Sequence, residues 1–170
     1  AQDLTLRHRV KDYRAGDLEK RYQRLAIEED CLVNYGFLPR EHVALMHPRQ
    51  AKRVWDADTQ HNAADVLAYV QAHGPVHPRQ IEQHFAHGNV TNYWGGSSSA
   101  TTHLLDGMHY RGMLRVVRRD SGTRVYEAVA HPPTDDSPAS RAQRAAALVA
   151  LVVHKYAPLP AASLTYLVRL

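Results

Sequence analysis

At 170 residues the chain is long enough for one domain or two small ones with a real hydrophobic core. Hydrophobic residues make up 44% and charged ones 22%, which excludes a disordered or collagen-like chain. Lys and Arg number 21 against 17 Asp and Glu, a formal charge of +4. The single cysteine, Cys31, excludes an internal disulfide framework and any Cys-x-x-Cys zinc site, and fits a reducing, cytoplasmic setting.

The longest apolar run, Ala145 to Val153, is too short to span a bilayer, so no membrane partner is expected. The first residues are too polar for a signal peptide. The chain opens on Ala1 and stops at Leu170 inside an apolar periodic stretch, which reads as a piece of a longer protein. Five arginines (Arg111, Arg115, Arg118, Arg119 and Arg124) face one acid, Asp120, within a single segment. That segment alone carries +4, and the remaining residues balance.

In chain order, Leu18, Tyr22 and Leu25 predict a helix from Asp17 to about Ala26. Arg7, Arg9, Lys11, Arg14, Lys20, Arg21 and Arg24 make this opening basic, though Asp3, Asp12, Asp17 and Glu19 offset most of that charge. Cys31 to Tyr35 predicts a short buried strand, and Glu41 to Met46 a helix. Gln50 to Asn62 reads as a linker or long loop.

A helix from Ala63 to His73 shows Val66, Leu67 and Val70 on one face and ends at Gly74-Pro75. Pro78 opens a second helix with Ile81 and Phe85 four residues apart, and a loop runs from Gly88 to Gly96. Ser97 to Ser99 cap a third helix reaching about Arg111. Two strands then follow, Leu114 to Arg119 and Thr123 to Val129, joined at Asp120-Ser121-Gly122. Three helices and a basic hairpin are the order of a winged helix-turn-helix.

Residues 132–138 read as a linker, after which Ser137 and Pro138 open a helix reaching about Tyr156. Gly74-Pro75 and Ala157-Pro158 punctuate two similar helix pairs, with Val66, Leu67 and Val70 corresponding to Val149, Ala150 and Val153. The expected fold is α+β, mostly helical, with tandem winged helix-turn-helix units. A partial N-terminal unit spans 1–56, a winged helix 57–131, a linker 132–138, and the start of a further unit 139–170.

The third helix places Thr101, Leu104, Leu105, Met108 and Gly112 on a core face. Ser99, Thr102, His103, Asp106 and Tyr110 face outward. Ser99, Thr102 and His103 are candidate DNA contacts, whereas Asp106 is repelled by phosphate but can accept from a cytosine amine. The same helix could instead face a protein partner or a second copy. In the hairpin, Arg115, Arg118, Arg119 and Arg124 are candidate phosphate contacts, because each guanidinium offers a fork of donors. The alternative is a solvated edge hairpin guarded by charge.

His73, His77, His84 and His87 cluster in sequence but straddle a turn, so they read as surface histidines and no metal site is assigned. Cys31 reads as a packed thiol. Tyr93-Trp94 reads as packing between hairpin and helix, with base stacking as the alternative. Gly95-Gly96 before the serines reads as a cap that could hold a phosphate.

Tyr93-Trp94-Gly95-Gly96, Leu105-Asp106, Gly112-x-Leu114-x-Val116 and Arg124-x-Tyr126-Glu127 together resemble the YcaQ/AlkZ family of bacterial winged-helix DNA glycosylases. Leu4-Thr5-Leu6-x-His8-Arg9-Val10-x-Asp12-Tyr13, Tyr35 with Leu38-Pro39-Arg40, Ala72-His73-Gly74-Pro75-Val76 and Tyr166 to Leu170 extend the likeness over nearly the whole chain. The resemblance implies tandem winged-helix units, double-stranded DNA as partner, no cofactor, and excision of alkylated or crosslinked bases. It also implies a Gln-apolar-Asp or Gln-apolar-Gln catalytic motif upstream of Leu4, so no catalytic residue is assigned within this chain and its status as an enzyme stays open. Thr102 and Asp106 stand where the family tends to have lysine and glutamate. A non-enzymatic transcriptional regulator and a protein-interaction module are the alternatives.

Overall fold

A computed structural model describes residues 2–47, 49, 53–85, 88–91, 97–130, 135 and 137–168. Tyr93-Trp94-Gly95-Gly96, His87 and most of the linker at 132–138 lie outside them. The fold is α+β and mostly helical, and its described strands form three two-stranded antiparallel sheets.

Two short helices, α1 (Gln2–Arg7) and α2 (Asp17–Arg21), precede a 3-10 turn at Tyr22–Arg24. The hairpin β1 (Ile27–Cys31) and β2 (Tyr35–Pro39) follows, and leads straight into α3 (Arg40–Met46). The run Cys31 to Tyr35, expected as a strand, spans the turn between two strands. Its apolar character has another cause: Leu32 is buried with Val43, Met46, Leu148 and Leu151 in a second core cluster. β1 itself reads Ile-Glu-Glu-Asp-Cys, a charged strand that hydropathy alone does not reveal.

The central unit begins with α4 (Ala57–His73), capped by Asp56, whose carboxylate accepts from the Thr59 N–H at 2.8 Å. Its first turns are polar and mostly exposed, which is why Ala57 to Asn62 reads as loop; the cap marks the true start. Gly74 ends α4 with a φ of 75°, a conformation that favours glycine. Val76 then pairs with Tyr126, its N–H donating at 2.8 Å and its carbonyl accepting at 2.9 Å. Next come α5 (Pro78–Phe85), the pair β3 (Asn89–Thr91) and β4 (Ser97–Ser99), and α6 (Ala100–Tyr110).

The hairpin β5 (Leu114–Asp120) and β6 (Thr123–Ala128) closes this unit, with a bulge between Val116 and Arg118. Ser121 and Gly122 both have positive φ, at 51° and 82°, as a tight two-residue hairpin turn demands. Thr101, Leu104, Leu105 and Met108 are buried, as the helical spacing predicts. Leu104, Leu105 and Met108 join Val66, Val70, Ile81, Leu114 and Val116 in one core. Tyr22 from the N-terminal segment enters the same core, its hydroxyl donating to the Val116 carbonyl at 2.5 Å.

Ser137 caps α7 (Pro138–Tyr156) by accepting from the Ser140 N–H, and α8 (Ala161–Val168) follows. The correspondence with α4 is limited to the order of helix, proline turn and helix. Val66 and Val70 are buried, but Val153 is exposed, and α7 buries Leu148, Leu151 and Val152 instead. The reason is tertiary: α7 packs against α3, and its inward face is set by that contact.

Candidate nucleic-acid interface

Two of the three consecutive acids of β1, Glu28 and Glu29, meet the basic hairpin. Glu28 accepts from Arg115 at 3.3 Å and from Arg40 at 3.2 Å. Glu29, whose side chain is 0% exposed, receives a two-pronged bond from Arg119, Nε to Oε1 at 2.8 Å and Nη2 to Oε2 at 2.5 Å. The Tyr35 hydroxyl donates to the same carboxylate at 3.0 Å. These bonds raise the Arg119 pKa above its usual value, the hydrogen bond to Glu29 being the chief cause. The local excess of positive charge is thus matched in space by β1.

Asp30 is the third acid. His47 Nε2 donates to it at 2.5 Å and Arg49 Nη1 at 3.3 Å, while Arg49 also lies 4.6 Å from the Tyr110 ring centroid. Burial alone would raise the Asp30 pKa, but His47 and the Arg49 charge outweigh it and hold the group below its ordinary 3.8. A carboxylate depressed in the folded state stabilises fully above its unfolded pKa and loses that contribution as pH falls through the folded value. Urea unfolding followed from about pH 5 downward should therefore show a stability loss beginning near pH 4 that Asp30→Asn flattens. An identical acid limb in the variant would show that Asp30 contributes nothing.

Each sequence-predicted contact now has a place. Arg115 donates to Glu127 through Nε at 2.9 Å and Nη2 at 2.6 Å, besides reaching Glu28. Arg119 adds a bond from Nη1 to the Gly122 carbonyl at 2.8 Å. Arg124 donates to Asp106 at 2.5 Å and lies 4.3 Å from the Tyr35 ring centroid. Arg118 differs: it pairs with Asp120 two residues on, in a contact 37% and 45% exposed on the two sides.

On α6, Ser99 accepts from the Thr102 N–H at 3.3 Å, and its hydroxyl donates to Glu82. Thr102 and His103 are exposed. Asp106, the acid on the outward face, is gripped by Arg124 and by the Tyr126 hydroxyl at 3.2 Å. Burial first, and Asp106 second, push the Tyr126 pKa up to about 12, so it stays a donor. Farther along, Trp55 packs on Gly107, where an added Cβ would meet it at 2.9 Å. Arg111 stacks 3.6 Å from the Trp55 ring centroid. Arg111 and Trp55 thus cover the C-terminal half of α6, whereas Thr102 and His103 near its start are exposed.

The two motifs at Leu105-Asp106 and Arg124-x-Tyr126-Glu127 thus have one structural meaning, a lock between α6 and the hairpin. A protein-family model described as DNA glycosylase AlkZ-like matches residues 1–170. The chain belongs to the AlkZ-like DNA glycosylase family. Comparison with curated proteins and with solved structures gives no match.

In this AlkZ-like chain the residues that sequence reasoning missed are Glu28, Glu29, Asp30, His47 and Arg49. The available signal was charge complementarity: three adjacent acids and a cluster of arginines, separated in sequence, within a near-balanced chain. Among the described residues, no group of three or more His, Cys, Asp or Glu is placed to hold a metal ion, and no helix is long and apolar enough to cross a membrane.

Proposed function

We propose that this chain is the duplex-binding part of a cytoplasmic DNA glycosylase that excises alkylated or crosslinked bases, with α4, α5, α6 and the β5–β6 hairpin acting as a winged helix-turn-helix. The family match over residues 1–170 carries the reading. Two features support it. Thr102 and His103 are exposed near the start of α6, and recognition helices present their N-terminal residues to base edges. Among the described residues, Arg118 near the hairpin tip is held by an exposed ion pair, worth about 0–1 kcal/mol, which a phosphate can replace.

The arginines then divide their work. Arg118 contacts phosphate, Arg124 neutralises Asp106 on the groove-facing side, and Arg115 and Arg119 bind the hairpin to β1. Titrating a duplex at several salt concentrations tests the reading. Arg118→Ala should reduce the slope of log affinity against log salt by about one, with folding stability changed by less than about 1 kcal/mol. An unchanged slope would remove Arg118 from the interface. Much tighter binding to one sequence would favour a transcriptional regulator, and no preference for duplex over a generic polyanion would favour a protein-interaction module.

A further inference from the structure

A cavity of about 380 Å³ lies where β1, α3, the end of α6, the start of β5 and α7 meet. Neither the hairpin tip nor the exposed start of α6 contributes to its wall. We propose that this cavity binds a small, apolar carboxylic acid carrying one N–H or O–H donor on its body, with the carboxylate on Arg40 and the donor on His109. The site is separate from the surface assigned above to duplex DNA.

The donor requirement comes from His109, which forms part of the wall and is only 6% exposed. Its ring is set edge to face against Tyr35 and Tyr126, at 6.0 Å and 6.2 Å between centroids. Nδ1 lies 3.0 Å from the Leu114 carbonyl, and a carbonyl only accepts, so Nδ1 carries the proton. In the neutral ring Nε2 is then an acceptor, and among the described residues it has no partner. Buried polar groups are nearly always hydrogen-bonded, so an orphaned acceptor at a cavity calls for a donor. The volume is far more than the roughly 30 Å³ of one water and falls in the range of small-ligand pockets.

The carboxylate requirement comes from the charges. Every acid in the wall is already matched: Glu28 by Arg40 and Arg115, Glu29 by Arg119, and Asp30 by Arg49. Arg40 is 52% exposed and reaches Glu28 through Nε at 3.2 Å. Among the described residues its two terminal amino groups have no partner, and such a fork suits a carboxylate. Three acids in the same wall oppose a dianionic phosphate, so one negative charge is the better fit. Between these polar ends stand Val43, Ala44, Leu114 and Val129, which suit an apolar body.

Three probes separate the requirements by isothermal calorimetry: indole-3-acetate, which has both groups, naphthalene-1-acetate, which lacks the donor, and indole, which lacks the carboxylate. Indole-3-acetate should bind about tenfold tighter than indole and about fivefold tighter than naphthalene-1-acetate. Arg40→Gln should bring indole-3-acetate down to the affinity of indole. His109→Asn keeps an amide donor for the Leu114 carbonyl but removes the Nε2 acceptor, and should make the two acids equal. Ala44 lines the cavity from an exposed position on α3, so Ala44→Trp should abolish binding of all three with little risk to folding.

If His109→Asn fails to fold, the wild-type protein decides the matter. The nuclear magnetic resonance signal of His109 Nε2 should shift with indole-3-acetate and stay fixed with naphthalene-1-acetate. An unmoved signal with both acids, equal affinity for the three probes, or no binding at all overturns the proposal. Binding that survives Ala44→Trp also overturns it, because the probe then sits elsewhere.

Discussion

Replacing Arg119 with alanine is expected to cost about 3–5 kcal/mol of folding stability, the range for breaking a buried ion pair from one side. Glu29 has no exposure, and Arg119 supplies two of its hydrogen bonds. Once the guanidinium is gone, a buried carboxylate keeps the Tyr35 hydroxyl as its remaining side-chain donor. That residual bond places the loss toward the lower end of the range. Glu29→Gln in the alanine background should recover part of it, because a neutral amide is far less costly to bury than a charge. Urea unfolding of the single and double variants checks both points. A loss below about 1 kcal/mol would mean that the pair behaves like a surface salt bridge.

Leu105→Ala is the second large effect, at about 2–5 kcal/mol. Leu105 is 1% exposed and sits in the core that α4, α5, α6 and the hairpin share with Tyr22. Truncation removes buried methyl groups and leaves a cavity whose walls belong to several separate elements. Those walls are held by the Val76–Tyr126 bridge and the Asp106 lock, so they cannot collapse to fill it. The transition should remain single and cooperative, since Tyr22 couples the N-terminal segment to this core. A second transition in the variant would show that the N-terminal segment unfolds separately.

Helical periodicity made the central unit legible. The buried face of α6, the Ser99 cap, the Gly74 stop and the Ser121-Gly122 turn each follow from local chemistry that a single segment contains. β1 was not legible, because Glu28, Glu29 and Asp30 become strand residues only when arginines from other parts of the chain neutralise them. The hairpin arginines were found by composition, but their partners were not. A run of like charge says where guanidiniums lie in sequence and nothing about the carboxylates folded against them. Asp106 shows the same limit: read alone it is a repulsive acid on the outward helix face, and in the fold it is the ligand of Arg124 and Tyr126.

In the proposed function, fold and DNA use different arginines of one hairpin. Side-chain N–H nuclear magnetic resonance signals of Arg115, Arg118 and Arg119, followed while a short duplex is added, test it most directly. The Arg118 Nε–H signal should shift in proportion to bound DNA. Those of Arg115 and Arg119, held by Glu127 and Glu29, should stay where they are. Shifts at Arg115 and Arg119 with Arg118 unmoved would contradict the account.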